Sequence, residues 1–254
     1  MIVMRAACHA FRRRSARVSD TRSRICYGAV CANLSSDTMP PSATLPSPLP
    51  LFPLGSVLFP DGYLPLRIFE VRYLDLIGRC HKQGLPFGVV SLTAGAEVRA
   101  AGAGVERFST VGTLATIRSL HSPQPGLFEI ECVGTQRFEV RSSELQKHGL
   151  WTAEIDPLAD DVALGIPSDL QHAADALRRL VDTLEQRRVA AQDQDLRLPI
   201  APPYRFDDCG WVANRWAELL PMQNTLKQRL MELDSPLMRL ELVSDLLARH
   251  NIAG

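Results

Sequence analysis

The sequence lacks the patterns that carry most recognisable chemistry. It has no G-x-x-x-x-G-K-[ST] phosphate loop, no strand-to-helix G-x-G-x-x-G and no G-x-S-x-G. Glycine-cradled nucleotides and nucleophile-elbow hydrolysis both need those spacings. Only three lysines occur, at 82, 147 and 227, each among polar residues, so a buried lysine base is not expected. The six cysteines form no Cys-x-x-Cys pair, and the six histidines stand singly. Cys80 and His81 are adjacent, but helical neighbours point about 100° apart, which is poor chelating geometry. The expectation is a chain with no metal, no cofactor and no catalytic residue, working in a reducing compartment, the cytoplasm.

The remaining candidate groups have ordinary structural readings. Cys132 sits in the alternating stretch "FEIECVG" as a small core residue. Cys209 follows Asp207 and Asp208, whose carboxylates would raise its pKa and weaken it as a nucleophile. The pairs Asp160–Asp161 and Asp207–Asp208 read as solvated caps or linkers.

An uninterrupted apolar run is missing too. "LPLFPLGSVLFPDGYLPLRIFEVRYLDLIGRC", residues 49–80, is long enough for a membrane span, yet prolines stand at 50, 53, 60 and 65. A spanning helix needs roughly 20 apolar residues, and each interior proline costs it about 3 kcal/mol. Short extended pieces are expected instead, with strands at 57–60 and 63–68 and prolines at strand starts or on unpaired edges. After Pro65 the period changes. Phe69, Tyr73, Leu76, Ile77 and Cys80 fall at helical spacing, Glu70 and Lys82 suit the two ends of the dipole, and Gly84 ends the helix.

Further strands are expected at 86–93, 109–120, 127–134, 135–143 and 150–158, the pair 127–134 and 135–143 forming a meander. Leu170, Ala173, Ala174, Leu177, Leu180, Val181 and Leu184 then mark a long helix with Ser168 as its N-cap. "RLPIAPPYRFDD" reads as a loop because of its prolines, and helices follow at 209–220, 223–233 and 236–249. The fold class is α+β: a mostly antiparallel barrel over 45–160, then a helical bundle over 161–254.

Residues 1–44 show no sustained period and are expected to be disordered. They carry seven arginines against Asp20 and Asp37. Three readings stay open: translation starting at Met39, an organelle transit sequence, or a weak signal core. Setting residues 1–38 aside leaves 21 basic and 26 acidic residues, net −5. Such a body weighs against nucleic acid, whose affinity comes largely from clustered Lys and Arg.

Aromatics are few and concentrated. Phe69 and Tyr73, one helical turn apart, read as core, and Trp211 and Trp216 as anchors between barrel and bundle. Phe59 and Tyr63 flank the "PDG" turn, and are expected at an exposed barrel rim beside loop 94–106 as peptide-binding residues.

"LPLFPLGSVLFPDGYLPLRIFEVRYLDLI", "STVGTLATI", "VGTQRFEV" and "ELLPMQNTLKQRLMELDSPLMRLELVSDLL" resemble, in this order, the amino-terminal substrate-recognition domain of the Lon ATP-dependent protease family. The resemblance spans about residues 47–250 and implies a PUA-like pseudobarrel followed by a helical bundle. The ATPase and Ser–Lys protease modules of full Lon have no counterpart in this sequence, so the resemblance implies recognition rather than catalysis. Its implied partners are unfolded or tagged polypeptides, with a protease or chaperone behind them, and no membrane. An RNA-binding PUA-like protein and a structural or small-ligand module are the alternatives.

Overall fold

The computed structural model describes residues 45–97, 104–191, 198–250 and 252. The leader 1–44 and the centre of loop 94–106 lie outside these residues. The elements run β1 (Leu49–Leu54), β2 (Tyr63–Ile68), α1 (Val71–Gln83), β3 (Phe87–Ala94), β4 (Arg107–Gln124), β5 (Leu127–Leu145), β6 (Trp151–Pro157), α2 (Gln171–Ala190), α3 (Cys209–Leu219), α4 (Asn224–Glu232) and α5 (Pro236–Arg249).

The strands are ordered β2-β5-β4-β3-β1-β6, and β5 also pairs with β6. That extra pairing closes β5, β4, β3, β1 and β6 into a ring, with β2 attached to the outside of β5. β1 runs parallel to β3, and the other pairs are antiparallel. The fold is α+β, as expected.

Proline placement differs from expectation. Residues 57–60 form no strand, and the first strand is the proline-bearing Leu49–Leu54. β1 tolerates two prolines because its ladders overlap only at Leu51. Pro50 lies opposite Thr152 of β6 alone, and Pro53 opposite Val90 of β3 alone. Each proline thus has one unpaired flank for its missing donor.

The expected meander 127–143 is a single strand, β5. No turn forms at Gly134. There β5 exchanges β2 for β6 as its second neighbour, and the ladder to β4 shifts register between Thr113 and Ala115. A bulge bends the strand and lets the sheet close on itself.

Helix α1 buries Tyr73, Leu76, Ile77 and Cys80 and ends at Gly84 in the left-handed conformation, φ 66°. Tyr73 stacks on Phe52 at 4.0 Å between ring centroids. Phe69, expected on this buried face, precedes the helix and is 38% exposed. Ser168 is not the cap of α2: that helix begins after Leu170, whose N–H donates to Pro167 O at 3.0 Å in a preceding turn. In α5, Pro236 stands at the start and Ser235 Oγ accepts from Met238 N at 3.3 Å.

Two groups of polar contacts fasten the ring to the helices. Asp161, expected to be solvated, is 82% covered and takes both guanidinium arms of Arg239, which is itself 1% exposed. Arg137 of β5 donates to Met231 O at 2.9 Å, Leu233 O at 3.1 Å and Asp161 Oδ1 at 3.5 Å. The second group surrounds the turn Phe59–Gly62, closed by Gly62 N donating to Phe59 O at 2.9 Å. Its third residue, Asp61, has φ 58°, a conformation glycine adopts more readily. Asp61 N donates to Gly134 O at 2.8 Å, and Arg215 of α3 donates to the carbonyls of Pro60 and Asp61.

These contacts give two expected outcomes. A Cβ on Gly134 would stand 2.2 Å from the backbone carbonyl of Phe59, so Gly134→Ala must displace the turn. Its cost in a urea titration should be about 1–3 kcal/mol, the range for overpacking. Asp161→Ala strands Arg239 in the interior and should cost about 3–5 kcal/mol. An unchanged midpoint in either variant would contradict the corresponding contact.

Candidate functional site

A recess with convergent polar and aromatic groups lies where the outer face of the sheet meets the helices. It is a cleft of about 710 Å³. Tyr63 of β2, Arg118 of β4 and Glu131 and Val133 of β5 form the sheet side. Glu185 and Arg188 of α2, the segment 198–205 and Trp211 of α3 form the other.

Strand period explains the sheet side. In β2, Leu64, Leu66 and Ile68 enter the core, so Tyr63 and Arg67 turn outward. Tyr63 lies opposite Val133 and Pro65 opposite Glu131. Across the cleft, Leu198, Ile200, Ala201, Pro202 and Pro203 supply apolar surface.

An aromatic group backs this wall. Phe206 and Trp211 meet edge to face at 5.3 Å, Tyr204 lies 5.6 Å from Phe206, and the Arg178 guanidinium lies 5.0 Å over Phe206. Tyr204 OH donates to Glu185 Oε1 at 3.0 Å, and Arg188 Nε donates to Glu185 Oε2 at 2.8 Å. Burial, and then the Glu185 hydrogen bond and charge, push the Tyr204 phenol up to about 12. It therefore stays protonated near neutrality and keeps donating. Asp61 pairs with Arg205 across the cleft mouth.

The two expected binding residues part company here. Tyr63 is half-buried and lines the cleft. Phe59 is not at an exposed rim: its exposure is 0%, inside the core cluster that holds Trp211, Trp216, Val212 and Leu240. The expectation failed because α3 covers the turn and Arg215 grips it from above. Trp211 does stand at the barrel–helix contact. Trp216 instead ties α3 to α2, its Nε1 donating to Ala173 O at 2.9 Å. The sequence marks 198–205 only as a loop, and its prolines beside Ile200 and Tyr204 are the signal available.

A second recess of about 610 Å³ runs along α1 between Val71, Arg72, Asp75, Arg79, His148 and Leu150. It has no aromatic wall, and Arg72 is already engaged by Glu70 and by Gly149 O at 2.7 Å. Among the described residues no group of three or more His, Cys, Asp or Glu is placed to hold a metal. No described helix is long and apolar enough to cross a membrane. Lys227, expected to be solvated, is buried, its Nζ donating to Glu218 O at 2.7 Å.

Cys80, Cys132 and Cys209 are free and buried. Burial pushes the Cys80 thiol up to about 11. Burial and, secondarily, the Cys80 and Glu131 charges push Cys132 up to about 12. For Cys209 burial outweighs the Asp208 carboxylate as the cause of its upward shift. Raised thiol values mean that the folded chain holds these protons more tightly than the unfolded chain. The resulting stability is complete below about pH 9, the ordinary value, and is lost as pH rises through about 11 and then 12. The melting temperature of the wild type should therefore fall more steeply above pH 9 than that of a Cys80→Ala, Cys132→Ala double variant. Parallel curves would show that the thiols do not contribute.

A search of curated proteins found no match. Among solved structures, the chain is similar to a Lon N-terminal domain protein from Xanthomonas campestris, with 30% identity over 79% of this chain and 96% of that one, TM-score 0.58. It also matches the N-terminal domain of Mycobacterium avium complex Lon protease, with 16% identity over 80% and 98% of the two chains, TM-score 0.49. Residues 48–249 match the family described as the ATP-dependent protease La (LON) substrate-binding domain, and the chain belongs to that family.

Proposed function

We propose that this chain is a non-catalytic polypeptide-recognition protein that takes extended apolar segments into the cleft between sheet and helices. In this reading the barrel, 45–160, and the bundle, 161–254, are the two units whose junction makes the site. The observation that carries it is the aromatic and proline-lined wall of Tyr204, Trp211, Pro202 and Pro203 facing Tyr63 in a recess of about 710 Å³. Family membership supports a substrate-recognition role. An adaptor that passes bound segments to a protease or chaperone follows as the wider proposal.

Physical chemistry favours unfolded chain over folded partner. Aromatic faces and proline rings accept apolar side chains without demanding a particular sequence, and rigid aromatics lose little entropy on contact. The apolar wall makes binding tolerant of salt, whereas phosphate recognition would weaken steeply as salt rises.

The test is fluorescence anisotropy of a labelled, reduced and carboxymethylated casein against the wild type and against Tyr63→Ser and Tyr204→Ala. Each substitution should raise Kd about 5- to 30-fold, corresponding to about 1–2 kcal/mol per anchoring aromatic. Circular dichroism melts report whether the fold is kept. Casein bound equally by folded variants would remove the cleft as the site, and binding of RNA with a steep salt slope would replace the peptide reading.

A further inference from the structure

Among the described residues the cleft carries six charged side chains, and five of them are already engaged. Asp61 pairs with Arg205, and Glu185 holds Arg188 and the Tyr204 hydroxyl. Glu131 also has a partner. Arg118 is the exception. It is exposed, lines the cleft, and makes no hydrogen bond or ion pair among the described residues.

The backbone places this side chain in a particular way. In the β4–β5 ladder Ile117 stands opposite Cys132 and Ser119 opposite Glu131, so two consecutive positions of β5 face three of β4. Arg118 is the extra residue of that bulge. In a regular ladder it would have taken Glu131 as its cross-strand neighbour, a pairing that opposite charges favour. The bulge gives that place to Ser119. Bulges redirect side chains and recur beside binding sites.

We infer that Arg118 sets the specificity of the cleft by selecting apolar segments that carry an aspartate or glutamate side chain. This rests on the cleft being the polypeptide site. A carboxylate is the complement of the charge left uncommitted there among the described residues, and a guanidinium meets it with two parallel N–H donors. Because Arg118 is solvent-accessible, an acidic side chain within a continuous segment reaches it without burying a chain end. Elsewhere the body, net −5 beyond residue 38, repels acidic segments, so this position gives them a register.

The experiment is a double-mutant cycle read by anisotropy. Three labelled ten-residue apolar peptides are used: one with a central Glu and an amidated C-terminus, its Gln analogue, and the Gln analogue with a free C-terminal carboxylate. They are titrated against the wild type, Arg118→Gln and Arg118→Glu at low and high salt. The wild type should bind the Glu peptide about 3- to 5-fold more tightly than the Gln peptide at low salt, and the preference should shrink at high salt. Arg118→Gln should abolish it, and Arg118→Glu should reverse it. Equal Kd values for Glu and Gln peptides in the wild type would overturn the inference while leaving the cleft standing. So would an Arg118-dependent preference for the free C-terminal carboxylate alone. If Tyr63→Ser and Tyr204→Ala leave binding of all three peptides intact, the cleft reading fails, and this inference with it.

Discussion

The buried ion cluster of Asp161 with Arg239 and Arg137 is the constraint on which the arrangement of this protein depends. Removing such charges from water costs several kcal/mol per ion, and mutual attraction offsets it only when the remaining donors are satisfied. Here they are. Arg239 also donates to Leu230 O at 2.9 Å and to Asn214 Oδ1 at 3.0 Å, and Arg137 donates to Met231 O and Leu233 O. Three of these acceptors close the C-terminal end of α4, where free carbonyls concentrate negative potential that favours cations. One carboxylate and two guanidinium groups therefore join β5, the segment after β6, α3, α4 and α5 at one point.

A pairing of that kind adds geometry more than net stability. An apolar interface between barrel and helices would tolerate sliding, because hydrophobic contact is not directional. Bidentate arginines tolerate little. The second fastening, Arg215 on the carbonyls of Pro60 and Asp61, works likewise on the turn before β2. Together they set the separation between the outer face of β2, β4 and β5 and the wall of 198–205. The cleft is the space left by those two anchors, not a cavity within either unit.

Its chemistry follows from what each unit contributes. The sheet presents alternating outward residues, including Tyr63, Val133 and the bulged Arg118, while the helical unit presents a proline-bearing segment backed by Tyr204, Phe206 and Trp211. Neither alone supplies the whole lining of the cleft. In the proposed reading, recognition depends on the relative placement of sheet and helices, which links the buried arginines to it although none of them lines the cleft.

Local sequence determined a good deal of this. The helices at 71–83, 209–219 and 236–249, the Gly84 stop, the Ser235–Pro236 start and the strands around 63–68, 87–94 and 151–157 were legible, because period, caps and proline geometry act over a few residues. The α+β class and the family resemblance were legible too. What was not legible depended on distant partners. Pro50 and Pro53 fit a strand because of which flanks β3 and β6 leave unpaired, and 127–145 continues through Gly134 because β2 and β6 divide that strand between them. Asp161 and Lys227 looked solvated until the fold supplied Arg239 and the Glu218 carbonyl, and Phe59 looked exposed until α3 covered its turn. Burial and charge pairing are decided by residues far apart along the chain, so only the tertiary structure turned this sequence into a cleft between sheet and helices.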